Sequence, residues 1–535
     1  MLSDTEQLVY LKPNVVIEPL FNKWYAWSHL ISPATAAMNI VEKHLKIMDS
    51  YIQAPRTHAA AAKNPKLLGG PFMDYPTEKV AEIKQLKSHI EEISANSIVL
   101  HKAFRDLNSM LKSKAKGFNL SELYKEIPGP LQGYVELVYD LDNHPSYRIF
   151  ESLLFNSEFY NKKSQTFALW VTDNDDRPFA LSTPKLNDDN VLHADLPFES
   201  DIIDELSKMK RIPGSLEQIK NRFSLNEKDR ALFDSFFTKA APPVYQKYNG
   251  DKIRMRYFGH ACILVETKEV TILVDPLISY YGYQSEVSRF SDMDLPDTID
   301  YVFITHNHQD HLLFETLIPL RHKIRHIVVP GNSKGRLQDP SLRLMFNNIG
   351  FDNVIEIDDM DRICLDNCAI TGLPFLGEHA DLDIQSKLCY HVKIGDFAVI
   401  FAADSCILEQ KVYEHVHRIV KDVDVLFLGM ECDGAPLSWI YGPLLDARIE
   451  KDMDDSRRLS GSNFERGMKL VDVFNPKEVY VYAMGMEPWL KFISSIKYTA
   501  YSNPIIESGK LIDHCLERGI TAERLFGEKE LLRSN

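Results

Sequence analysis

The sequence predicts an α+β N-terminal domain over residues 1–245, followed by a layered α/β domain over residues 246–535. The chain has 535 residues, which exceeds what one hydrophobic core ordinarily supports, so two domains are expected. Ala240-Ala-Pro-Pro-Val244 interrupts the periodic pattern and is the predicted linker. Before it, helical segments surround a small β region. After it, short apolar runs alternate with helical stretches, which is typical of helices packed on sheets.

The N-terminal domain is expected to combine helices with a few strands. Apolar residues at three- and four-residue spacing predict helices over about 33–53 and 77–113, and a further helical stretch over about 199–237. Apolar runs predict strands over residues 134–139, 147–155 and 166–172. The aromatic segment Trp24-Tyr-Ala-Trp27 is interpreted as core or interface rather than as part of a reactive site.

The second domain is predicted to contain many short strands. Those in its first part cover residues 252–257, 261–267, 270–274, 301–305 and 326–330. Those in its second part cover residues 369–373, 389–394, 397–402, 425–428 and 479–482. Because helical segments separate many of them, a layered arrangement of sheets and helices is expected.

Composition excludes several classes of function. Hydrophobic residues make up 44% and charged residues 26% of the chain, as in ordinary globular proteins. A net charge of −15 argues against a general nucleic-acid binder, which needs a basic surface. No apolar stretch is long enough to cross a bilayer, and the opening segment has no basic start before an apolar core. A cytoplasmic protein without a secretion signal is therefore expected.

The cysteines indicate a reducing environment. All seven follow the predicted linker, their number is odd, and most lie inside apolar runs. These features suit reduced, buried thiols in a cytosolic protein. Cys364-x3-Cys368 has no second Cys or His pair nearby, so it is not expected to bind a metal.

Residues 306–311, His-Asn-His-Gln-Asp-His, bring three imidazoles and a carboxylate together on one short segment. They follow an apolar run that predicts a buried strand. In an extended segment, side chains at positions i and i+2 point the same way, so His306 and His308 are expected to bind one metal ion. Asp310 and His311 lie just beyond, where a second ion is expected. The segment therefore predicts a two-metal site.

A two-metal site needs further ligands, normally including a carboxylate that bridges both ions. Charged residues follow three later predicted strands, and these residues are Glu378 with His379, then Asp404, then Glu431. A charge just beyond a buried strand is costly unless a cation compensates for it, so each of these residues is a candidate ligand. Asp404 is the candidate bridge.

The His-x-His-x-Asp-His motif resembles that of the metallo-β-lactamase superfamily, which implies an αβ/βα four-layer metallo-β-lactamase-fold sandwich for the second domain. Zinc hydrolases of that superfamily carry a last histidine ligand after a late strand. The matching segment here, Asn475–Glu487, contains no histidine. A carboxylate must replace that ligand, with Glu431 as the candidate and Glu487 in reserve. Carboxylate-rich ligation favours iron or manganese over zinc, because oxygen donors are harder.

Nearly the whole chain is similar to the chloramphenicol-biosynthesis-type di-iron β-hydroxylase family. The similarity includes the overall length, the segment Trp24–Trp27 and the block from Met255 to Pro276. The most specific features are Gly377-Glu378-His379, Glu431 and the missing late histidine.

This resemblance implies a dinuclear iron cluster. The implied ligands are His306, His308 and Glu378 for one iron, Asp310, His311 and Glu431 for the other, and Asp404 as the bridge. It also assigns Glu378 and Asp404 to catalysis. His379 remains the rival of Glu378, because an imidazole fits that position in zinc hydrolases.

The reaction implied is β-hydroxylation of an aminoacyl group held as a thioester on a peptidyl carrier protein, in nonribosomal peptide or antibiotic biosynthesis. Dioxygen is the co-substrate and an external donor supplies two electrons, so that one oxygen atom enters the C–H bond and the other leaves as water. By the same resemblance, the N-terminal domain would shape carrier-protein recognition and a homodimer interface.

Two other functions remain open at this point. One is a zinc-dependent hydrolase of the same fold, such as a thioesterase or lactonase, in which metal-bound hydroxide attacks a carbonyl. The other is a metal-bearing binding module without turnover.

Some residues have two interpretations. His260 and Asp275 either orient a metal ligand or belong to turns. Trp439 and Tyr441 either line a substrate channel or pack in the core. Two basic stretches are candidate docking sites for an acidic carrier protein, namely Lys208-x-Lys210-Arg211 with Lys220 and Arg222, and residues 321–326.

Overall fold

The computed structural model describes residues 8–64, 67–283 and 285–534. Residues 1–7, which begin the segment where no secretion signal is expected, lie outside the described residues. Within the described ranges, no helix combines the length and the apolar character that crossing a membrane requires.

The strands of the N-terminal half form small antiparallel sheets. They are β1 (Leu8–Leu11), β2 (Val15–Phe21), β3 (Trp24–Tyr25), β4 (Val135–Tyr139), β5 (Pro145–Ile149), β6 (Gln165–Val171), β7 (Leu192–Ala194), β8 (Gly214–Ser215) and β9 (Phe237–Thr238). One sheet has the order β3-β2-β6-β7, and β1 pairs with both β8 and β9. β4 and β5 form a hairpin.

Helices cover these sheets and account for much of the first 115 residues. They are α1 (Ser28–Ile31), α2 (Pro33–Asn39), α3 (Lys46–Gln53), α4 (Pro55–Ala62), α5 (Val80–Ile93), α6 (Ala95–Lys114), α7 (Glu151–Phe155), α8 (Asp201–Lys208), α9 (Leu216–Arg222) and α10 (Glu227–Ser235). A π-helical segment, Ile40–Leu45, joins α2 to α3. The segment Trp24–Trp27 is buried, as expected for a core element.

Parts of the N-terminal prediction are wrong. The strand predicted over 147–155 ends at Ile149 and gives way to helix α7, because a short apolar run suits either structure. The helical stretch predicted over 199–237 is interrupted after α8, where Pro213-Gly214 cannot continue a helix. Strand β2 was not predicted, although it pairs with β6 along its whole length. Its Pro19 disfavours a strand by sequence alone.

The first sheet of the second domain contains all five of the predicted early strands. Its members are β10 (Ile253–Tyr257), β11 (Ile263–Glu266), β12 (Thr271–Val274), β13 (Ile299–Phe303), β14 (Ile324–Pro330), β15 (Val354–Ile357) and β25 (Lys529–Arg533). The strand order is β15-β14-β13-β12-β11-β10-β25. Strands β12 to β15 run parallel to one another.

The second sheet contains the later predicted strands. Its members are β16 (Arg362–Leu365), β17 (Cys368–Pro374), β18 (Leu388–Ile394), β19 (Phe397–Phe401), β20 (Val425–Gly429), β23 (Glu478–Tyr482) and β24 (Thr521–Arg524). The order is β16-β17-β18-β19-β20-β23-β24, with β19, β20, β23 and β24 parallel. A two-stranded ribbon joins β21 (Ala435–Pro436) to β22 (Arg458–Leu459).

The two sheets pack face to face, and helices cover their outer faces. These helices and the shorter ones near the site are α11 (Phe314–Leu320), α12 (Leu342–Asn348), α13 (Gln410–Val420), α14 (Leu437–Tyr441), α15 (Lys451–Ser456), α16 (Phe464–Phe474), α17 (Lys491–Ser494) and α18 (Asn503–Glu517). Between the sheets, the rings of Phe303 and Tyr390 meet edge to face. Helices α13, α16 and α18 pack against the second sheet, whereas α11 and α12 lie between the first sheet and the N-terminal half. The predicted four-layer sandwich is confirmed.

The fold brings the candidate ligands to one edge. Asp275 follows β12, the loop 305–311 follows β13, Asp404 follows β19 and Glu431 follows β20. Because parallel strands end at the same edge of their sheet, these side chains converge where the two sheets open.

Candidate metal centre

The histidines of the first loop are buried and close together. His306 and His311 are fully buried and His308 is nearly so. The ring centroids of His306 and His311 lie 4.1 Å apart, and those of His306 and His308 lie 4.7 Å apart. Imidazoles this crowded and this far from water need partners that compensate for their lost hydration.

Glu378 faces two of these histidines. Its Oε1 lies 2.5 Å from Nδ1 of His308, and its Oε2 lies 3.8 Å from Nε2 of His306. The other nitrogen of His308, Nε2, is 3.1 Å from the hydroxyl of Tyr441. Nδ1 of His308 is therefore the nitrogen that faces the carboxylate and is available to a metal ion.

A second cluster adjoins the first one and shares His306 with it. Nε2 of His311 is 3.0 Å from Oδ2 of Asp404, and Asp310 Oδ2 is 3.3 Å from Nε2 of His260. Donor atoms of His306, His308 and Glu378 form one compact group, and those of His306, His311 and Asp404 form another. Donors of His260, Asp310 and His311 form a third. The loop therefore supplies donors to adjacent positions, which is the arrangement that a dinuclear centre needs.

Asp275 and Thr305 fix the orientation of the histidines. The Thr305 hydroxyl donates to Asp275 Oδ2 over 2.6 Å and lies 3.0 Å from Nδ1 of His306. Asp275 Oδ2 also lies 2.8 Å from Nδ1 of His311. Asp275 thus orients a candidate ligand instead of merely closing a turn. Carboxylates that hold the far nitrogen of a histidine ligand fix its ring and tautomer.

His260 occupies a comparable supporting position. The backbone amide of Ala483 donates to its carbonyl over 2.8 Å, and the amide of Gly485 lies 3.1 Å from its Nδ1. This leaves Nε2 directed at Asp310. The late segment that lacks a histidine therefore holds a histidine from another loop next to the site.

Glu431 lies on the same cavity wall, in a different setting. The Tyr498 hydroxyl donates to its Oε1 over 3.1 Å, and the Gly434 amide donates to its Oε2. Burial raises the pKa of Glu431 to about 7, with Asp404 and Asp433 adding to the rise. Glu431 is not a member of the compact donor groups formed by the described residues. Its assignment as a ligand stays a prediction.

The electrostatics of the cluster call for a cation. Burial raises the pKa of Asp404, and Glu378 and Asp310 reinforce that rise against the opposing effect of His311. Burial also acts to lower the pKa of His311, but Asp404 and Asp275 outweigh it and raise that pKa well above the ordinary value. Carboxylates that repel one another away from water are stabilised by metal ions.

Unpaired buried atoms test whether a metal fits. His306 Nε2 and Asp404 Oδ1 are buried and have no hydrogen-bond partner among the described residues, and the buried Glu378 Oε2 has a close contact with Nδ1 of His379. Buried polar atoms normally have partners. Imidazole nitrogens together with carboxylate oxygens form the donor set that non-haem iron prefers. The residues present therefore fit a metal centre.

The backbone around the centre is strained. The residues other than glycine that adopt a positive φ there include His260 (50°), Asp275 (41°), Glu378 (65°), Ala403 (46°) and Ala483 (53°). This left-handed conformation is costly for residues with a Cβ and persists where the surroundings impose it. Three of them carry side chains of the site, and Ala403 directly precedes Asp404.

A cavity of about 460 Å³ opens onto the cluster. Its polar wall contains His260, His308, Asp310, Glu378, Asp404 and Glu431. Its apolar wall contains Leu68, Leu181, Trp439, Ile440, Ile493 and Ile496. Trp439 thus lines the cavity, whereas Tyr441 is buried and contacts His308.

Neither His379, the rival of Glu378, nor Glu487, the reserve ligand, lines this cavity. His379 stacks on His308 with ring centroids 4.6 Å apart, and its Nδ1 is 2.9 Å from Glu378 Oε2. Glu487 is buried and accepts a hydrogen bond from the Tyr257 hydroxyl. This placement favours Glu378 over His379 and Glu431 over Glu487.

Among the described residues, the two basic stretches do not form free basic surfaces. Lys210 is buried and pairs with Asp292 at 2.7 Å, and Arg321 is buried and pairs with Asp204 at 3.0 Å. Ion pairs also bind Lys220 to Asp234, Arg222 to Asp201 and Arg325 to Asp300. The hypothesis that either stretch docks a carrier protein is not supported.

The cysteines and two tyrosines complete the comparison with the sequence. All seven cysteines are free, and most are buried, as expected.

The contact of Tyr498 with Glu431 was not anticipated, because 67 residues separate the two and no motif links them. The contact of Tyr441 with His308 likewise has no local sequence signal.

Comparisons with known proteins agree with this site. The family described as the diiron non-heme beta-hydroxylase N-terminal domain matches residues 10–242, and the beta-lactamase superfamily domain matches residues 270–437. The chain is 36% identical over 534 residues to the 4-amino-L-phenylalanyl-[CmlP-peptidyl-carrier-protein] 3-hydroxylase of Streptomyces venezuelae. That match covers 97% of this chain and 99% of the relative.

Solved structures give the same result. The crystal structure of CmlA, a diiron beta-hydroxylase from Streptomyces venezuelae, matches with a TM-score of 0.93 at 35% identity. The match covers 99% of this chain and 100% of that one. A glutamate-to-aspartate variant of CmlA matches with a TM-score of 0.90 at 35% identity, over 98% of this chain and 100% of that one.

These findings confirm the resemblance noted in the sequence and favour the oxygenase over the hydrolase. The relatives are β-hydroxylases whose family name specifies two irons, and the donor set described above fits that cofactor. The chain is an oxidoreductase of the monooxygenase type. It belongs to the diiron non-heme β-hydroxylase family.

Proposed function

We propose that this protein hydroxylates the β-carbon of an aminoacyl group that is held as a thioester on a peptidyl carrier protein. The relative from Streptomyces venezuelae acts on such a carrier-bound substrate, 4-amino-L-phenylalanyl. The observation that carries the proposal is the set of imidazole and carboxylate donors on one wall of a partly apolar cavity. Each compact group contains two imidazoles and one carboxylate, which is the ligand set of non-haem iron oxygenases.

Seven side chains would hold two irons. One iron would be bound by His306, His308 and Glu378, the other by Asp310, His311 and Glu431, with Asp404 shared between them. The unpaired atoms of His306 and Asp404 support this assignment, as does the contact of Glu378 with His308. Glu431 is supported by its position on the cavity wall and by a carboxylate that burial and Asp404 destabilise.

When bound, the irons would activate dioxygen with two electrons from an external donor. The protein contributes orientation and access. Asp275 and Thr305 fix the rings of His306 and His311, and Tyr441 fixes the far nitrogen of His308. Glu378 and Asp404 would be the catalytic carboxylates, because they face both the donor cluster and the cavity that receives the substrate.

The cavity indicates the class of aminoacyl group. Its apolar wall, with Trp439 and several aliphatic side chains, suits an aromatic or large apolar side chain. Burying that side chain would also exclude water from the metal centre, which limits oxidation of anything but the substrate.

The two predicted domains would have different roles in the reaction. Residues 246–535 would carry the catalytic centre, and residues 1–245 would contribute to carrier-protein recognition and to a homodimer interface. The N-terminal half exposes several large apolar side chains near the β4–β5 hairpin, which suits an interface: Phe118, Leu141, Phe150 and Leu153. The cytoplasm is the proposed location, because reduced thiols and a carrier-bound substrate are both found there.

The test is mass spectrometry of carrier-bound aminoacyl groups after incubation with reduced, iron-loaded enzyme and labelled dioxygen. The expected result is the gain of one labelled oxygen atom on an aromatic or large apolar aminoacyl thioester. Loss of the aminoacyl group by hydrolysis without oxygen uptake, from protein that holds zinc, would establish the hydrolase instead.

A further inference from the structure

A second cavity adjoins the one at the metal centre. It has a volume of about 670 Å³ and lies between the N-terminal helices and the segment 436–443. The two cavities share part of their lining, namely Leu68, Leu181, Pro436 and Trp439. The two cavities therefore meet at these four side chains, between the metal centre and the N-terminal helices.

Trp439 stands at the junction of the two cavities. It is half-buried, and its ring centroid lies 6.2 Å from that of Phe179. A Cβ on Gly69 would lie 2.3 Å from Cη2 of Trp439, and Gly69 adopts a φ of +80°. Only glycine permits this approach. The indole is thus packed closely against Gly69, at the side chains that the two cavities share.

The outer cavity contains an unpaired cation. Lys43 lines it, and no ion pair or hydrogen bond joins its ammonium group to another described residue. The amine lies 6.0 Å from the ring of Trp27. The acidic side chain nearest in sequence, Glu42, is engaged by Lys46, His101 and Arg105.

An anion at this position would stabilise Lys43. Burial lowers the pKa of Lys43 to about 8, so that most of the amine is still charged at neutral pH. A partly desolvated ammonium without a counter-ion is unfavourable. A phosphate group is the anion for which lysine is an ordinary binding partner.

We propose that the two cavities form the passage for the phosphopantetheine arm of the carrier protein, with Lys43 bound to the phosphodiester of that arm. The inference rests on the proposed function and adds to it the passage through which the carrier-bound substrate would reach the metal centre. An aminoacyl thioester at the end of such an arm needs a long route with an anion site near the entrance and an apolar end at the reaction centre. Both cavities are in the size range that holds extended organic ligands, roughly 300–1,000 Å³.

Three variants test the role of Lys43 in turnover. Lys43→Met removes the charge and keeps the apolar stem, Lys43→Arg keeps the charge, and Lys79→Met removes a charge of the same domain that already pairs with Glu82. For carrier-bound substrate, the KM of Lys43→Met is expected to rise about tenfold, the cost of one charge-assisted hydrogen bond, with kcat unchanged. The other two variants are expected to keep the KM of the original protein. An unchanged KM in Lys43→Met would overturn the proposal.

A binding experiment separates this proposal from the proposed function. Calorimetry with phosphopantetheine and with pantetheine, which lacks the phosphate, needs no turnover. The original protein is expected to bind phosphopantetheine at least tenfold more tightly than pantetheine, and Lys43→Met is expected to lose that preference. Equal binding of the two compounds, or binding of neither, would refute the passage. Preferential binding without hydroxylation of any carrier-bound substrate would refute the proposed reaction and leave the passage standing.

Discussion

His311 lies between two carboxylates. Its Nδ1 is 2.8 Å from Oδ2 of Asp275 and its Nε2 is 3.0 Å from Oδ2 of Asp404. Asp275 is completely buried and also receives hydrogen bonds from the amide and hydroxyl of Thr305. One nitrogen of His311 is therefore fixed by the fold, while the other faces the cluster of candidate ligands.

Replacing Asp275 by Asn is expected to weaken iron binding without removing a ligand. The amide keeps the size of the side chain but loses the charge that holds Nδ1 of His311. Loss of such a supporting contact typically lowers metal affinity about 10- to 100-fold. Iron titration followed by optical absorption measures the effect. Asp300→Asn is the matched control. Asp300 accepts a hydrogen bond from the Thr271 amide and pairs with Arg325, at the end of β13 that lies away from the metal centre. Equal iron affinity in the two variants would contradict the orienting role.

Glu431→Gln is expected to lose one iron. The predicted centre would keep the ion bound by His306, His308 and Glu378, so iron content should fall from two to about one per chain. Glu487→Gln is the control, since Glu487 was the reserve ligand and instead binds the Tyr257 hydroxyl. Full iron content in Glu431→Gln would show that Glu431 is not a ligand. Loss of iron in Glu487→Gln would show that Glu487 binds the metal instead. Elemental analysis with Mössbauer spectroscopy distinguishes single irons from coupled pairs.

Glu378 and His379 give a second comparison of neighbouring residues. Glu378→Gln is expected to release the iron held with His306 and His308, because the carboxylate faces both rings. His379→Gln is expected to retain both irons, since His379 stacks behind His308 and does not line the cavity. Iron loss in the histidine variant alone would identify His379 as the ligand.

Glu151 is expected to make stability depend on pH. Burial raises its pKa from 4.5 to about 7, against the hydrogen bonds donated by Ser341 and Asn332. A raised folded-state pKa means that its contribution to stability is complete below about pH 4.5 and is lost as the pH rises through about 7. The loss amounts to about 3 kcal/mol.

The measurement is the urea midpoint at pH 5 and at pH 8. Glu151→Gln cannot ionise, so its midpoint should fall less between these values than that of the original protein. Glu136→Gln removes an exposed carboxylate paired with Arg148 and should leave the difference unchanged. A Glu151→Gln variant with the original pH dependence would show that Glu151 does not titrate in this range.

Much of the centre could be predicted because its signals are local. The motif at 306–311 places four donors on one loop, and Asp404 and Glu431 each follow an apolar strand that is easy to recognise. Parallel strands then bring those ends together. The inner strands of both large sheets were predicted for the same reason, since short apolar runs between turns mark them. The four edge strands, β15, β16, β24 and β25, were not predicted.

Contacts between distant segments could not be predicted. No sequence feature near Lys210 indicates its ion pair with Asp292, and none near Arg321 indicates its ion pair with Asp204. Basic stretches that are paired inside the fold therefore resembled docking surfaces. The same limit applies to Tyr498 beside Glu431 and to Lys43 beside the outer cavity. Such pairs arise from tertiary packing and leave no periodic signal.

The most direct test is a crystal structure of the iron-loaded protein with anomalous data collected on both sides of the iron absorption edge. Two iron peaks are expected with Asp404 between them, one bound by His306, His308 and Glu378 and the other by Asp310, His311 and Glu431. A single zinc peak held by His260, Asp310 and His311, with Glu431 still bound only to Tyr498 and Gly434, would contradict this assignment.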